Sequence, residues 1–407
     1  MKATVTAHRE ILMLSSYPPR ECGIATYSKD LFNALSQTIG GSSLSVCALE
    51  TSKESRDYPE EVKFILDTSQ VHEYILLAEK VNKDKNIKAV FIQHEFGLFG
   101  GRYGEMLLYF LYTLRKPVMI TFHTVLPEPD QKLISVVRNI VERTDSVMVM
   151  TNSSANILVN EYGVLESMIH VIPHGTHPVK HQDKLMLKEK YSLAGRITLS
   201  TFGLISSNKS IETALEALPA IVEKFPEVLY LIIGRTHPEV VKHEGEAYRH
   251  SLEQRIEELG LSDNIRFVNK YVELPELLEL LQLTDIYLFT SKDPNQAVSG
   301  TFAYAMSCGC PIISTSIPHA KEMLNPDTGI LVGFNDPQGF ADAVIELLDN
   351  PVLHREMSKN TLFVSSASEW SNVAVSHKHM LQNYLPKYPV ILNFPEASAK
   401  PTYKTAN

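Results

Sequence analysis

The sequence predicts two doubly wound α/β domains of similar size facing each other across a cleft, and three observations predict it. Short apolar runs rich in β-formers alternate with stretches of helical period along most of the 407 residues. The runs (AVFI, VMVM, LYLII, IYLF) are apolar throughout rather than alternately polar. Strands buried on both faces have that composition, and they occur in parallel sheets covered by helices. The alternation also pauses once, over the polar HGTHPVKHQDKLMLKEKYSLAG between His174 and Gly195, and then restarts with a fresh strand.

Strands of the first series are expected at 10–16, 88–93, 117–122, 146–150 and 170–173. A second series is expected at 197–203, 228–234, 264–268, 285–290, 311–315 and 329–332. Amphipathic stretches between them, such as 25–35, 72–81, 211–223, 247–259 and 338–348, read as covering helices. Beyond Asn350 the chain reads as helical over 352–365 and 370–384. The expected divisions are a first domain over 1–185, a second over 186–365, a helical segment over 366–390, and a tail over 391–407 of frayed composition.

Composition narrows the function. With 44% hydrophobic and 21% charged residues the chain is too apolar for disorder. Lys+Arg 38 against Asp+Glu 47 gives −9, which argues against a general nucleic-acid or anionic-membrane surface. The four cysteines (Cys22, Cys47, Cys308, Cys310) are too few for a disulfide scaffold and make no C-x-x-C pair, so reduced thiols in a cytoplasmic protein are expected. The first residues hold only a short apolar run, ILML, and no stretch approaches the roughly 20 apolar residues of a membrane span.

Ligands of doubly wound sheets bind beyond the carboxyl ends of the strands, so the loops after strands carry the functional signal. The first strand runs into SSYPPRECGIATYSKDL, where Arg20 precedes Gly23 at a strand-to-helix turn. That glycine either lets backbone and helix N-terminus approach an anion or makes a plain tight turn. Next comes QHEFGLFGGRYGE, with Gly97, Gly100, Gly101 and Gly104 inside eight residues but no trailing Lys-Ser/Thr of a P-loop. A ligand-hugging or lid-like loop and a plain flexible one are both compatible with it. His94 and Glu95 end that strand and are expected to point into the cleft, as is His123 in ITFHT.

The histidines of HVIPHGTH (His170, His174, His177) suggest metal only weakly, because Pro173 breaks any helix and no cysteine or carboxylate completes the set. In LSTFGLISSNKSIETALEAL the strand ends at Gly203, and Lys209 stands just before a helix, where it either holds a phosphate or is solvated. The richest segment is FTSKDPNQAVSGTFAYAMSCGCPIISTS. Ser299, Gly300 and Thr301 offer amides at a helix start, a ready anion site, while Asp293, Asn295 and Gln296 lie in the loop before it. No Asp-x-Asp clamp, Gly-x-Ser-x-Gly elbow or full dinucleotide fingerprint occurs.

Taken together, PPRECGIATYSKDL, ITFHT, VIPHG, FGLISSNKSIETALEAL, AYAMSCGCPIISTSIPHAKEML and GILV resemble the retaining family-4 glycosyltransferases of GT-B fold, in order and spacing over some 360 residues. The segment with Trp370 is similar to the family helix that crosses back onto the first domain. The resemblance implies transfer of a hexose from a nucleotide sugar to a carbohydrate or other hydroxyl acceptor. Configuration would be kept by front-face displacement, with no metal and no cofactor besides the nucleotide sugar itself. It implies that His123 contacts the donor sugar, that Lys209 holds the leaving phosphate, and that Gln296 stands where the family has a glutamate near the sugar.

Gly23, Gly203, Arg235, Ser299, Gly300, Thr301 and Tyr304 would complete the donor site. Arg20, His94, Glu95, Asp293 and Asn295 would face the acceptor. The expected partners are these two small molecules, with no nucleic acid; the sequence leaves oligomeric state open. Three departures stand out: Gln296 and Tyr304 replace a glutamate pair, and Leu204 replaces the arginine of the phosphate loop. Tyr304 offers no bidentate carboxylate to a ribose. Arg235, His237 or Arg20 could make up the missing cation. A phosphorylase-like enzyme using phosphate or sugar 1-phosphate, and a non-catalytic sugar-binding protein, are the alternatives.

Overall fold

The computed structural model describes residues 9–40, 43–51 and 56–382. Its first sheet has seven strands: β1 (Glu10–Ser15), β2 (Leu44–Glu50), β3 (Val62–Asp67), β4 (Ile87–His94), β5 (Val118–Phe122), β6 (Ser146–Val149) and β7 (Ile169–Val171). The second has six: β8 (Ile197–Phe202), β9 (Val228–Ile233), β10 (Ile265–Val268), β11 (Ile286–Phe289), β12 (Ile312–Thr315) and β13 (Gly329–Val332). The strand orders are β3-β2-β1-β4-β5-β6-β7 and β10-β9-β8-β11-β12-β13. Pairing is parallel throughout, so helices must cover both faces.

The period of two is visible in the cores. On β1, Leu12 and Leu14 enter one apolar cluster and Ile11 and Met13 the other. On β9, Val228, Tyr230 and Ile232 pack on one face and Leu229, Leu231 and Ile233 on the opposite one. Each fully buried side chain of this size contributes about 1.5–3 kcal/mol, so both faces are strongly specified.

All six strands expected in the second domain are present, but two of the first domain, β2 and β3, are additional to the sequence reading. The β2 segment LSVCALE is wholly buried, yet its Ser, Ala and Glu give it neither the apolar run nor the β-branched content of its neighbours. The β3 segment alternates in burial because it is an edge strand. The pause at 174–195 contains a short helix, Lys184–Lys190, capped by Asp183 and held by Lys184 and Lys188 to Asp285.

The C-terminal helix Trp370–Leu381 returns to the first domain and packs along Gly23–Ile39, with Trp370, Val373, Ala374 and Leu381 joining Ile11, Tyr27 and Leu31 in one core. A bridge between Thr176 and Glu369 aligns the crossing. Trp370 lies so close over Gly175 that a Cβ there would sit 2.2 Å from the indole. The last residues of the expected 370–384 helix and the expected tail fall outside the described residues. The four cysteines are free, and among the described residues no helix is long and apolar enough to cross a membrane.

Candidate functional site

Between the carboxyl ends of the two sheets lies a cavity of about 480 Å³ lined by both domains. Its second-domain wall is built on glycines. Gly203 and Gly234 end β8 and β9 with φ of +135° and +128°, a region that L side chains rarely adopt. Their backbones touch, since a Cβ on Gly234 would lie 2.1 Å from the Gly203 carbonyl oxygen. A Cβ on Gly203 would lie 2.9 Å from Lys209 Nζ and 3.2 Å from Thr301 Cγ2, so the missing side chain is the space in which lysine and threonine meet.

Lys209 ends a single 3-10 turn whose carbonyl is held by the Thr290 hydroxyl at 2.6 Å. Burial pulls its ammonium down to about 8. Its only described partner is the ring of Phe289, 5.8 Å away, and no carboxylate pairs with it among the described residues. Beside it starts the helix Gly300–Ser307. Ser299 caps that helix through Phe302 N and bonds Thr301 Oγ1 at 3.0 Å, and the Ser299 amide donates to His319 Nδ1 at 3.2 Å. Thus the amides of Gly300 and Thr301, first-turn donors with no intrahelical acceptor, are left at the cleft.

The first-domain wall pairs carboxylates with uncharged imidazoles. Gly23 opens the helix Gly23–Ile39 behind the Cys22 cap, and the next turns bring Tyr27 and Asp30 to the cleft. Tyr27 meets His123, His174 and Trp370 edge-on, at centroid distances of 4.7, 5.1 and 5.2 Å. His123 Nε2 bonds Gln93 Oε1 at 2.9 Å, and burial, with smaller contributions from His174 and His94, lowers its pKa to about 3. His174 donates from Nδ1 to the Gly175 carbonyl at 2.8 Å, which leaves Nε2 toward Gly300 of the opposite wall. Glu95 accepts from Thr124 Oγ1 at 2.6 Å and from Phe96 N at 3.0 Å, and burial raises its pKa.

Of the residues singled out from sequence, the cleft gathers Gly23, Glu95, His123, Gly203, Lys209, Arg235, Gln296, Ser299, Gly300, Thr301 and Tyr304. Four do not line it. His94 was expected to point into the cleft, but it is wholly buried, stacked 5.4 Å from Phe99 and edge-on to Phe96 and Phe122, with neither ring nitrogen bonded. The strand alternation that aims Glu95 at the cleft sends His94 into the core. Asp293 and Asn295 are exposed; Asp293 Oδ1 accepts from the Asn295 amide at 2.9 Å, a turn contact rather than a ligand contact. Arg20 is also absent from the lining.

Arg235 faces the cleft but is ion-paired with Glu21 of the other domain. Tyr304 donates to Asp30 Oδ2 at 3.1 Å across the cleft and stacks on His177. The glycine-rich loop is two tight 3-10 turns packed on the first domain, not a lid over the cavity. A Cβ on Gly100 would strike the Thr68 carbonyl at 2.5 Å. No set of three metal-ligating side chains occurs among the described residues, so the histidines of HVIPHGTH do not converge as one. Sequence reasoning missed Tyr27, Asp30, Thr124, Lys270 and Tyr271. Lys270 and Tyr271 follow β10, so the strand-end rule applied to every strand would have found them; Asp30 lies a full turn and more into its helix, where no local signal marks it.

Two facing doubly wound domains with a cleft between them are the GT-B architecture, and comparison of the sequence places it. Residues 23–180 match the family described as Glycosyltransferase Family 4, and residues 187–362 match Glycosyl transferases group 1. With both domains matched, the chain belongs to the family-4 glycosyltransferases of GT-B fold.

Mannosylfructose-phosphate synthase of Agrobacterium fabrum is 25% identical over 42% of this chain and 37% of its own. A D-inositol 3-phosphate glycosyltransferase of Xylanimonas cellulosilytica is 24% identical over 64% of each. N-acetyl-alpha-D-glucosaminyl L-malate synthase of Bacillus anthracis is 26% identical over 56% of this chain and 57% of its own. The chain thus spans between about a third and two thirds of these relatives' lengths. Among solved structures, Anabaena HepE in complex with UDP superposes with a TM-score of 0.74 at 15% identity, covering 92% of this chain and 100% of that one. Sucrose-phosphate synthase of Thermosynechococcus elongatus gives 0.71 at 17%, covering 92% and 99%.

Proposed function

We propose that this chain is a retaining glycosyltransferase that moves a hexose from a nucleotide-sugar donor to a hydroxyl acceptor without a metal ion. The observation that carries the reading is Lys209, a buried ammonium without a counter-ion among the described residues, set over Gly203 beside the first-turn amides of Gly300 and Thr301. Such a group, in a cleft and with a lowered pKa, is matched to an anionic ligand. Negative charge grows on the donor phosphate as its bond to the sugar breaks. A fixed cation and amides stabilise that charge most in the transition state.

In front-face displacement the acceptor oxygen bonds to the anomeric carbon on the side the phosphate leaves, and a phosphate oxygen takes the acceptor proton, so configuration is kept. His123, neutral and held by Gln93, and the amide of Gln296 would bond sugar hydroxyls without opposing the positive charge that develops on the ring. HepE was crystallised with UDP and with UDP-glucose, which supports a nucleotide-sugar donor here. The four free cysteines support a reducing, cytoplasmic setting.

Calorimetric titration with UDP, GDP, ADP and inorganic phosphate, in the presence of a chelator, tests the reading. Micromolar binding of one nucleotide is the expected result; phosphate binding with no nucleotide signal overturns it. That second outcome is the phosphorylase reading, and one observation favours it. Tyr304 stands where the ribose carboxylate would, and its hydroxyl is already given to Asp30.

A further inference from the structure

We propose that the acceptor is a hydroxyl-rich molecule carrying no phosphate or carboxylate group. The inference rests on the transferase reading and names the substrate class of the acceptor half of the same cleft. What carries it is the division of charge across the cavity. Every lysine and arginine lining it (Lys209, Arg235, Lys270) comes from the second domain, and both lining carboxylates (Asp30, Glu95) come from the first. Among the lining side chains neither wall mixes the two signs, although behind them Arg235 is ion-paired with Glu21 and Lys270 with Glu276.

A donor diphosphate lies naturally against the basic wall. The acceptor, on the other side of the anomeric carbon, is left facing Asp30 and Glu95, and in that partly dry space like charges repel far more than in water. No lysine or arginine of the first domain lines the cavity to offset them, and the imidazole set against Asp30, His177 with Nε2 at 3.1 Å from Oδ2, lies outside the lining. Its imidazoles, His123 and His174, are kept neutral by burial. Lys29, on the same helix as Asp30, is spent on Glu61. An anionic group on the acceptor would be desolvated with no cation to meet it.

Hydroxyls, in contrast, find ready acceptors. Thr124 and the Phe96 amide each bond one oxygen of Glu95, which fixes the carboxylate plane while leaving lone pairs on both oxygens. Asp30 Oδ2 accepts from Tyr304 and lies 3.1 Å from His177 Nε2, while among the described residues nothing bonds its other oxygen. Relatives named for inositol 3-phosphate and for L-malate carry an anion in their names, and this wall has no cation to pair with one.

The test uses the full chain, first saturated with whichever of UDP, GDP or ADP binds, so that sugar phosphates cannot occupy the basic wall. Matched probes are then compared by saturation-transfer NMR: myo-inositol with inositol 3-phosphate, fructose with fructose 6-phosphate, and methyl glucoside with methyl glucuronide. The neutral member of each pair is expected to bind at least tenfold more tightly, with the gap narrowing at high salt and in Glu95→Gln. Tighter binding of the anionic members overturns the proposal, as does a gap that neither salt nor Glu95→Gln changes. Absence of nucleotide binding sinks the transferase reading instead, and it is seen in the first titration before any probe is added.

Discussion

At the strand ends of the first sheet stand carboxylates and uncharged imidazoles; at those of the second stand two lysines, an arginine and the amides of a helix start. Both walls arise from the same architecture, but only the second is built on glycines that let backbones touch, since Gly23 of the first has open space around it. They differ in how their polar groups are satisfied. On the second wall Lys209 has no counter-ion among the described residues, which suits a ligand that brings its own negative charge. On the first wall the polar groups are bonded to one another, Glu95 to Thr124 and His123 to Gln93, which suits a ligand read through hydroxyls. One wall is a charge trap and the other a preorganised hydrogen-bond surface.

The contrast can be broken most severely from the first wall. Trp370 closes the aromatic group of Tyr27 and His174 and is almost fully buried, so Trp370→Ala is expected to cost roughly 3–5 kcal/mol in chemical denaturation. A loss below about 1 kcal/mol would mean that the crossing helix does not hold this wall. On the second wall, Lys209→Ala should lower kcat by roughly 10²–10³-fold, about 2–4 kcal/mol, with little change in folding stability. An unchanged kcat would remove Lys209 from the phosphate role.

A smaller effect concerns protons. His94, His123 and His319 are held by burial at about 3, and His377 at about 4, against an ordinary value near 6.5. The folded state therefore binds fewer protons than the unfolded chain below that value. The stability these groups confer is complete above pH 6.5 and is lost as pH falls toward 3–4, by up to about 1.4 kcal/mol per pH unit for each histidine. His94→Phe, which replaces an unbonded ring inside an aromatic cage, should raise stability by about 1 kcal/mol at neutral pH and make the acid limb shallower by one histidine's slope. Melting curves from pH 7.5 to 4.5 give both quantities, and an unchanged slope would mean that His94 titrates normally.

The smallest change separates the walls most finely. Tyr304→Phe removes the hydroxyl given to Asp30 and should alter acceptor KM a few-fold, about 1 kcal/mol or less, while leaving nucleotide affinity untouched. A fall in nucleotide affinity would assign Tyr304 to the donor.

Much of this was legible along the chain. The six strands of the second domain announce themselves because each is an apolar run closed by Gly, Pro or polar residues, and the glycine, lysine and Ser-Gly-Thr signals of its wall lie in the loops that follow them. The β2 and β3 segments were not legible, since burial of LSVCALE comes from neighbours on both sides rather than from its own composition, and an edge strand is half polar.

By itself the sequence determined most of the local quantities: where all strands but β2 and β3 lie, which turns need glycine, and which side chains stand at strand ends. Only the tertiary structure decided the pairings across distance, because they join residues far apart in the chain. It set Tyr304 on Asp30 and Arg235 on Glu21, folded Trp370 over Gly175, and turned His94 into the core while Glu95, its neighbour, faces the cleft. No spacing rule reports which oxygen a buried group will find, because that choice belongs to the packing of two sheets against one another.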